Sequence, residues 1–308
     1  MRVIDVEYIN DCMRDDLSFV FRCEEIFHDK IGKASVRILE RRKDHPVVLI
    51  TGPSGSGKTT TAMRLKDYLT NLDVPVRMLS MDNFFLPVDE RPPEAEDWES
   101  PYCVDWNWLN EAVRTLKDGD EAEIPQYDFK TSSRKDPVKM QGDKDALIIV
   151  EGIHMLNPII FDKLKDIATG VYVAPRTRVV TPGDRVLRPE QIRIARRMIR
   201  DYQSRGRSLK ETVLMAKSVD AGEMQHITPY KENAIVHIDT FHDYELCILA
   251  EYIHEIPEAM ETLDAQFIKE NRLEELIRTT NVLKPLRTAY IPKDSIVREF
   301  IGGSRYIY

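Results

Sequence analysis

"VVLITGPSGSGKTTTA", residues 47–62, decides the fold. Val47–Thr51 is apolar and largely β-branched, the stretch from Lys58 onward suits a helix, and between them G-x-x-x-x-G-K-[ST] spans Gly52 to Thr59. A strand, a glycine-rich turn and a helix in that order make a phosphate cradle. The glycines let backbone N–H groups turn inward with no Cβ in the way. Lys58 can then reach the β- and γ-phosphates, and the Thr59 hydroxyl can ligate Mg²⁺. The expected cofactors are ATP and Mg²⁺, held along Gly52, Ser54, Gly55, Ser56, Gly57, Lys58, Thr59 and Thr60. A plain Gly/Ser turn is the competing reading, and both flanks speak against it.

Working outward, short apolar runs recur at 47–51, 76–81, 146–151, 170–174 and 234–238, with amphipathic stretches between them. Strands alternating with helices predict an α/β fold of the P-loop NTPase class, a parallel sheet with helices on both faces. Residues 1–45 carry helical spacing and end in a basic run, predicting a helical N-terminal extension. The core is expected over 46–254 with a lid near 190–210, and residues 255–308 are expected as a C-terminal appendage.

Two acids accompany the cradle. "DALIIVEG" ends a buried strand in Glu151, which places a carboxylate beside the metal. "VRMLSMDNFF" puts Asp82 at the end of another strand, where it can accept a proton from a hydroxyl or hold a metal-bound water; an Asp capping the next turn is the plainer alternative. The metal set is therefore Thr59, Asp82 and Glu151. The chain lacks the [NT]-K-x-D motif of a GTPase and the LSGGQ-like signature of an ABC-type ATPase, which leaves a phosphotransferase. "RIARRMIRDYQSRGR" sets Arg193, Arg196, Arg197 and Arg200 on one helical face, followed by Arg205 and Arg207 around Gly206. Like charges at that spacing repel, so the stripe predicts either a polyanion ligand under a mobile lid or a solvated face paired with acids.

Composition narrows the partners. The 308 residues are 42% hydrophobic and 31% charged with a net charge of -8, which argues against broad nucleic-acid binding. Cys12, Cys23, Cys103 and Cys247 are scattered without metal spacing and read as reduced thiols of a cytoplasmic protein. No apolar run is long enough for a membrane span, and Met1 is followed by Arg2, Asp5 and Glu7 rather than a signal-peptide core. Self-association stays open.

"GPSGSGKTT", "MDNFF", "PQYDFKTSSR", "LIIVEGI" and "RRMIRDYQSRGR", in this order, resemble the uridine kinase and phosphoribulokinase group of P-loop kinases, the uridine–cytidine kinase branch most of all. The resemblance covers roughly residues 46–254. It implies transfer of the ATP γ-phosphoryl to a hydroxyl of a small molecule. Asp82 matches the general base, Lys58 and Thr59 the cradle, and Glu151 the metal-side acid. Tyr127 and Phe129 match the rings beside a nucleoside base, although rings that merely anchor a loop are the plainer alternative. Arg197, Arg200, Arg205 and Arg207 match the lid and substrate arginines, with Arg197 assigned to the nucleotide, Arg200 and Arg205 to catalysis, and Arg207 together with Arg134 to the acceptor.

The chain departs from that pattern on the acceptor side. Ser132 stands where the nucleoside kinases have a His, Glu99 where they use an Asp for the ribose hydroxyls, and Met215 where they have a Gln. A nucleoside is the first acceptor, and another polyol or small hydroxyl compound the second. An ATP-binding regulator with vestigial turnover is the reading from a different class. The arginine-rich stretch 175–192 looks like an insertion at the acceptor site, at a subunit contact or in a solvated loop. Trp98, Trp106 and Trp108 cluster after Asp97, where they either shape the pocket or pack a helix start after Asp105, and Met215 is expected in the core.

Overall fold

A computed structural model describes residues 2–95, 99–181, 183, 185–256, 260 and 262–308. Trp98 lies outside the described residues. The strands are β1 (Val3–Asp5), β2 (Val47–Thr51), β3 (Val76–Ser80), β4 (Glu121–Asp128), β5 (Ser133–Gln141), β6 (Leu147–Glu151), β7 (Ala168–Ala174), β8 (Arg178–Thr181), β9 (Arg185–Leu187) and β10 (Val236–Asp239). The helices are α1 (Val6–Cys12), α2 (Asp16–Arg41), α3 (Lys58–Thr70), α4 (Trp106–Lys117), α5 (Pro158–Leu164), α6 (Pro189–Ser204), α7 (Leu209–His226), α8 (Glu245–Glu255), α9 (Ala265–Glu270), α10 (Glu274–Val282) and α11 (Arg298–Ile301).

The central sheet runs β10-β7-β2-β6-β3, every pair parallel. All five apolar runs seen in the sequence are these strands. Period-two alternation distributes β2 between two cores: Val47 and Leu49 face α4 and α5 through Leu109, Val113, Ile160 and Leu164. Val48 and Ile50 face α2 and α3 through Phe27, Ile31, Leu65 and Leu69. Helices therefore cover both faces, as a buried parallel sheet requires. The N-terminal segment supplies one of those layers, because α2 packs Phe27, Ile31, Ala34 and Ile38 against the strands.

A third core joins the two ends of the chain to the middle. Ile4, Ile9, Phe19 and Val20 share it with Ile192 and Met198 of α6, Leu246 and Leu249 of α8, and Leu276, Leu286 and Val297. The stretch 175–192 is not an open loop: β8 pairs parallel with β1 and antiparallel with β9. Residues 121–141 form an antiparallel hairpin, β4 with β5, that turns at Ser132 with φ 53.

Candidate active site

The cradle's backbone is fixed from behind. Every carbonyl from Pro53 to Gly57 accepts a hydrogen bond. Ser56 N–H donates to Pro53 O at 3.1 Å, Arg193 Nη1 to Ser54 O at 3.1 Å and Arg196 Nη1 to Gly55 O at 3.1 Å. Thr240 Oγ1 donates to Ser56 O at 2.7 Å, and Thr61 N–H to Gly57 O at 3.0 Å. A peptide unit whose C=O is held one way turns its N–H the other, so the bonds to Ser54, Ser56 and Gly57 turn the amides of Gly55, Gly57 and Lys58 away from them, while Ser54 N–H is taken by Glu223 and Ser56 N–H by Pro53 O. Gly55 and Gly57 take φ of 74° and 85°, and a Cβ at Gly52 would stand 1.9 Å from Val173 O. Those positions need glycine.

This overturns the reading of the basic stripe at two of its positions. Arg193 and Arg196 neither line a solvated face nor reach out to a polyanion; they are buried struts of the loop. Arg193 pairs with Glu223, which also accepts from Ser54 N–H at 3.0 Å. Arg196 pairs with Glu245 through Nε and Nη2, the latter at 2.8 Å, and its Nη2 also reaches Thr240 O at 3.0 Å. Each buried cation thus has a carboxylate partner, as burial demands.

Arg197 differs. It is 5% exposed, and among the described residues its Nε has no hydrogen-bond partner. Burial, then the nearby Arg200, lowers its pKa, with Asp201 and Glu99 opposing. Arg200, Arg205 and Arg207 gather on one buried acid, Asp201: Arg200 Nε donates to it at 3.0 Å, and the Nη1 atoms of Arg205 and Arg207 lie 3.3 and 3.6 Å from its oxygens. One carboxylate against three guanidinium groups leaves surplus positive charge beside the cradle. The charge of Arg205 is felt at Asp82.

The acids converge on the opposite side. Glu151 is 5% exposed and accepts from Ser80 Oγ at 2.8 Å and from Thr59 Oγ1 at 3.4 Å. Desolvation, then the charge of Asp82, pushes its carboxyl up to about 7, with Lys58 opposing. Asp82 itself lies in the 3₁₀ turn Met81–Phe84 that follows β3, its residue open to the cleft. Protein crowds the carboxyl on its inner side, and that desolvation raises its pKa against Lys58 and Arg205. Two acids, each held above its ordinary carboxylate range by desolvation, next to a threonine hydroxyl, form a donor set that a hard cation would satisfy. Among the described residues no three His, Cys, Asp or Glu side chains form a metal cage. Mg²⁺ does not require one, because it keeps waters and substrate oxygens among its ligands. Lys58 curls back with Nζ 3.4 Å from Pro53 O, over the loop.

The rings expected at the acceptor pack against the residue that follows the Asp82 turn. Phe85, three residues after Asp82, forms a cluster with Tyr127 and Phe129, with centroids 5.7, 5.3 and 4.9 Å apart. Phe129 keeps half its surface exposed, and Arg91 Nη2 donates to Tyr127 Oη at 3.1 Å. Arg134 is occupied as a brace: Nε donates to Phe85 O at 3.1 Å, Nη2 to Asp105 at 3.2 Å, and the guanidinium lies over Trp108. Glu99 packs against α7, where a Cβ on Gly222 would stand 2.9 Å from its own Cβ. Trp106 and Trp108 pack the start of α4, which Asp105 caps. Met215 is 42% exposed, so the expectation of a core position fails. Phe85, Arg91, Asp201, Glu223 and Thr240 were not read as site residues. Phe85 and Asp201 lay inside quoted motifs, whereas Glu223 and Thr240 carry no signal in the sequence.

Curated proteins resemble this chain over about three-fifths of its length. Uridine-cytidine kinase B of Dictyostelium discoideum is 31% identical over 197 residues, 62% of this chain and 74% of its own length. The uridine kinase of Brevibacillus brevis is 34% identical over 62% of this chain and 84% of its own. Among solved structures, the P-loop protein YFH7 of Saccharomyces cerevisiae superposes with a TM-score of 0.50 at 13% identity, over 70% of this chain and 99% of that one, which speaks for the fold alone. The model of the phosphoribulokinase / uridine kinase family matches residues 47–246, more than half of the molecule, and the chain belongs to that family of kinases.

Proposed function

We propose that this kinase transfers the γ-phosphoryl of ATP to a hydroxyl of a small acceptor, with a nucleoside as its first acceptor and Mg²⁺ as its metal. The observation that carries the reading is the cradle itself: the carbonyls of Ser54, Gly55 and Ser56 are pinned from behind by Arg193, Arg196 and Thr240, with Glu151 and Asp82 leaving adjacent strands beside it. Loop amides and Lys58 hold the phosphates. Thr59 and Glu151 would hold Mg²⁺, with Asp82 in reach, and the ion would supply positive charge to the phosphate oxygens. Asp82 takes the acceptor's hydroxyl proton, and its raised pKa strengthens it as a base. Arg197 meets the phosphates, and Arg200 and Arg205 neutralise charge on the moving phosphoryl group. Tyr127 and Phe129 form a wall for the acceptor, Glu99 and Arg207 address its hydroxyls, and Arg134 fixes the ring cluster in place.

The nucleoside reading draws on the uridine kinase relatives and on the half-exposed ring of Phe129. Ser132 heads a hairpin turn and cannot read a base edge as an imidazole would, which favours a smaller polyol as the second reading. The four thiols are free, in keeping with a reducing cytoplasmic setting. Among the described residues no helix is long and apolar enough to cross a membrane. ADP release measured across nucleosides, sugars and polyols tests the reading. A nucleoside should stimulate turnover most, a polyol optimum would shift the acceptor class, and no acceptor response would refute the proposal.

A further inference from the structure

The last fifteen residues lie along the cradle's helix. Ser295 is fully buried and bonds Tyr244 Oη at 2.9 Å, which in turn donates to Glu24 at 2.6 Å. Ile296 packs against the cradle, its Cδ1 3.0 Å from where a Cβ on Gly57 would be, and Val297 and Phe300 are buried. Arg64 of α3 donates to Asp294 O at 3.0 Å. The short helix α11 is therefore anchored, and it carries Glu299 to the phosphate-binding end of α3.

There the Glu299 carboxylate accepts from Thr60 Oγ1 at 2.6 Å and from Thr60 N–H at 3.3 Å. Tyr308 Oη bonds the same Thr60 hydroxyl at 2.9 Å and Ser304 Oγ at 3.0 Å. The first bond inside the helix starts at Thr61, so Thr60 N–H is one of the amides that the helix leaves for an anion. In a P-loop those amides cradle the α- and β-phosphates. Between the anchored α11 and Tyr308 come Gly302 and Gly303, with φ of 78° and 71°, and then Arg305 N–H, which donates to Lys293 O at 2.8 Å, and Tyr306 Oη, which donates to Asp67 of α3 at 2.7 Å.

We propose that Glu299 fills the seat of the donor's α-phosphate as an internal anion, latched by Tyr308, so that the C-terminal segment competes with the nucleotide and sets donor affinity. The inference rests on the reading of this cradle as a nucleotide site. A carboxylate and a phosphate oxygen cannot share the Thr60 donors, and two anions placed there repel. Nucleotide entry thus requires the Glu299 side chain to rotate and the Tyr308 hydroxyl to leave Thr60, while the turn from Ser295 to Phe300 and the Arg305 and Tyr306 contacts with Lys293 and Asp67 stay in place.

Calorimetric titration of the full chain with magnesium β,γ-imido-ATP tests this in the wild type, Glu299→Gln, Glu299→Ala, Tyr308→Phe and Lys58→Ala. Glu299→Gln keeps the shape and removes the charge, and it should tighten binding about tenfold. Glu299→Ala should do the same, and Tyr308→Phe should shift affinity in the same direction by less. Removal of a merely structural contact would weaken binding. Unchanged or weaker binding in both Glu299 variants, with Lys58→Ala still abolishing it, would overturn this inference alone. No binding by the wild type or by any variant would overturn the nucleotide reading with it.

Discussion

Arg196 and Gly55 are joined by a hydrogen bond from a fully buried guanidinium to a loop carbonyl, 3.1 Å long. The same side chain bonds Thr240 and pairs with Glu245, so the cradle, α6 and the end of β10 share one charge. An arginine that looks like a ligand for phosphate in the sequence instead shapes the backbone that binds it.

Arg196→Met should cost about 3–5 kcal/mol of stability, because it leaves Glu245 buried without a partner. Urea denaturation of the single variant and of Arg196→Met/Glu245→Leu checks this. The double variant should regain stability but not nucleotide affinity, because the Gly55 carbonyl still lacks its donor.

Asp82→Asn should reduce kcat by about 10²–10⁴ and leave nucleotide affinity close to that of the wild type. Equilibrium binding and turnover on the same preparation distinguish the two effects. Equal turnover would remove Asp82 as the base.

The ring cluster separates acceptor binding from packing. Phe129 is half exposed and Phe85 is buried. Phe129→Ala should raise the acceptor KM by about 5- to 150-fold, the value of losing a stacking ring worth about 1–3 kcal/mol, with little change in thermal midpoint. Phe85→Ala should lower the midpoint as well.

His154 gives a pH signature. It is 1% exposed, and burial, followed by the proximity of His226, lowers its pKa to about 3. Below the unfolded value of about 6.5 the unfolded chain binds a proton that the native state refuses, so stability falls by about 1.4 kcal/mol per pH unit as pH drops towards 3. Glu151, raised to about 7, acts with the opposite sign between about 4.5 and 7, since the native state there holds a proton that the unfolded chain releases. The difference between wild type and His154→Leu isolates the histidine. Chemical denaturation at pH 7, 6, 5 and 4 should show a shallower acid decline for the variant.

The central sheet was legible because each of its strands is buried on both faces and reads as an apolar run; the five runs match β2, β3, β6, β7 and β10 within about two residues at each end. The hairpin was not. β5, "SRKDPVKMQ", is polar and contains a proline, and its partner β4 alternates only weakly. Lys58, Thr59, Glu151 and Asp82 were legible because cradle and acids each sit at a strand end. The roles of Arg193 and Arg196 were not, because helical spacing shows which residues share a face and not whether that face is turned to water or to a loop. Glu299 was invisible for a related reason: nothing in "SIVREFIGGS" says that the turn comes to rest some 240 residues back along the chain, on Thr60.

The most direct test follows the terminal phosphate. ATP labelled in its γ-phosphoryl group is incubated with Mg²⁺, the enzyme and a panel of nucleosides and polyols, and the products are separated. The account predicts label in an acceptor phosphomonoester, dependent on acceptor concentration and lost in Lys58→Ala and Asp82→Asn. Label that stays in ATP or appears only as inorganic phosphate, whichever acceptor is present, would contradict it.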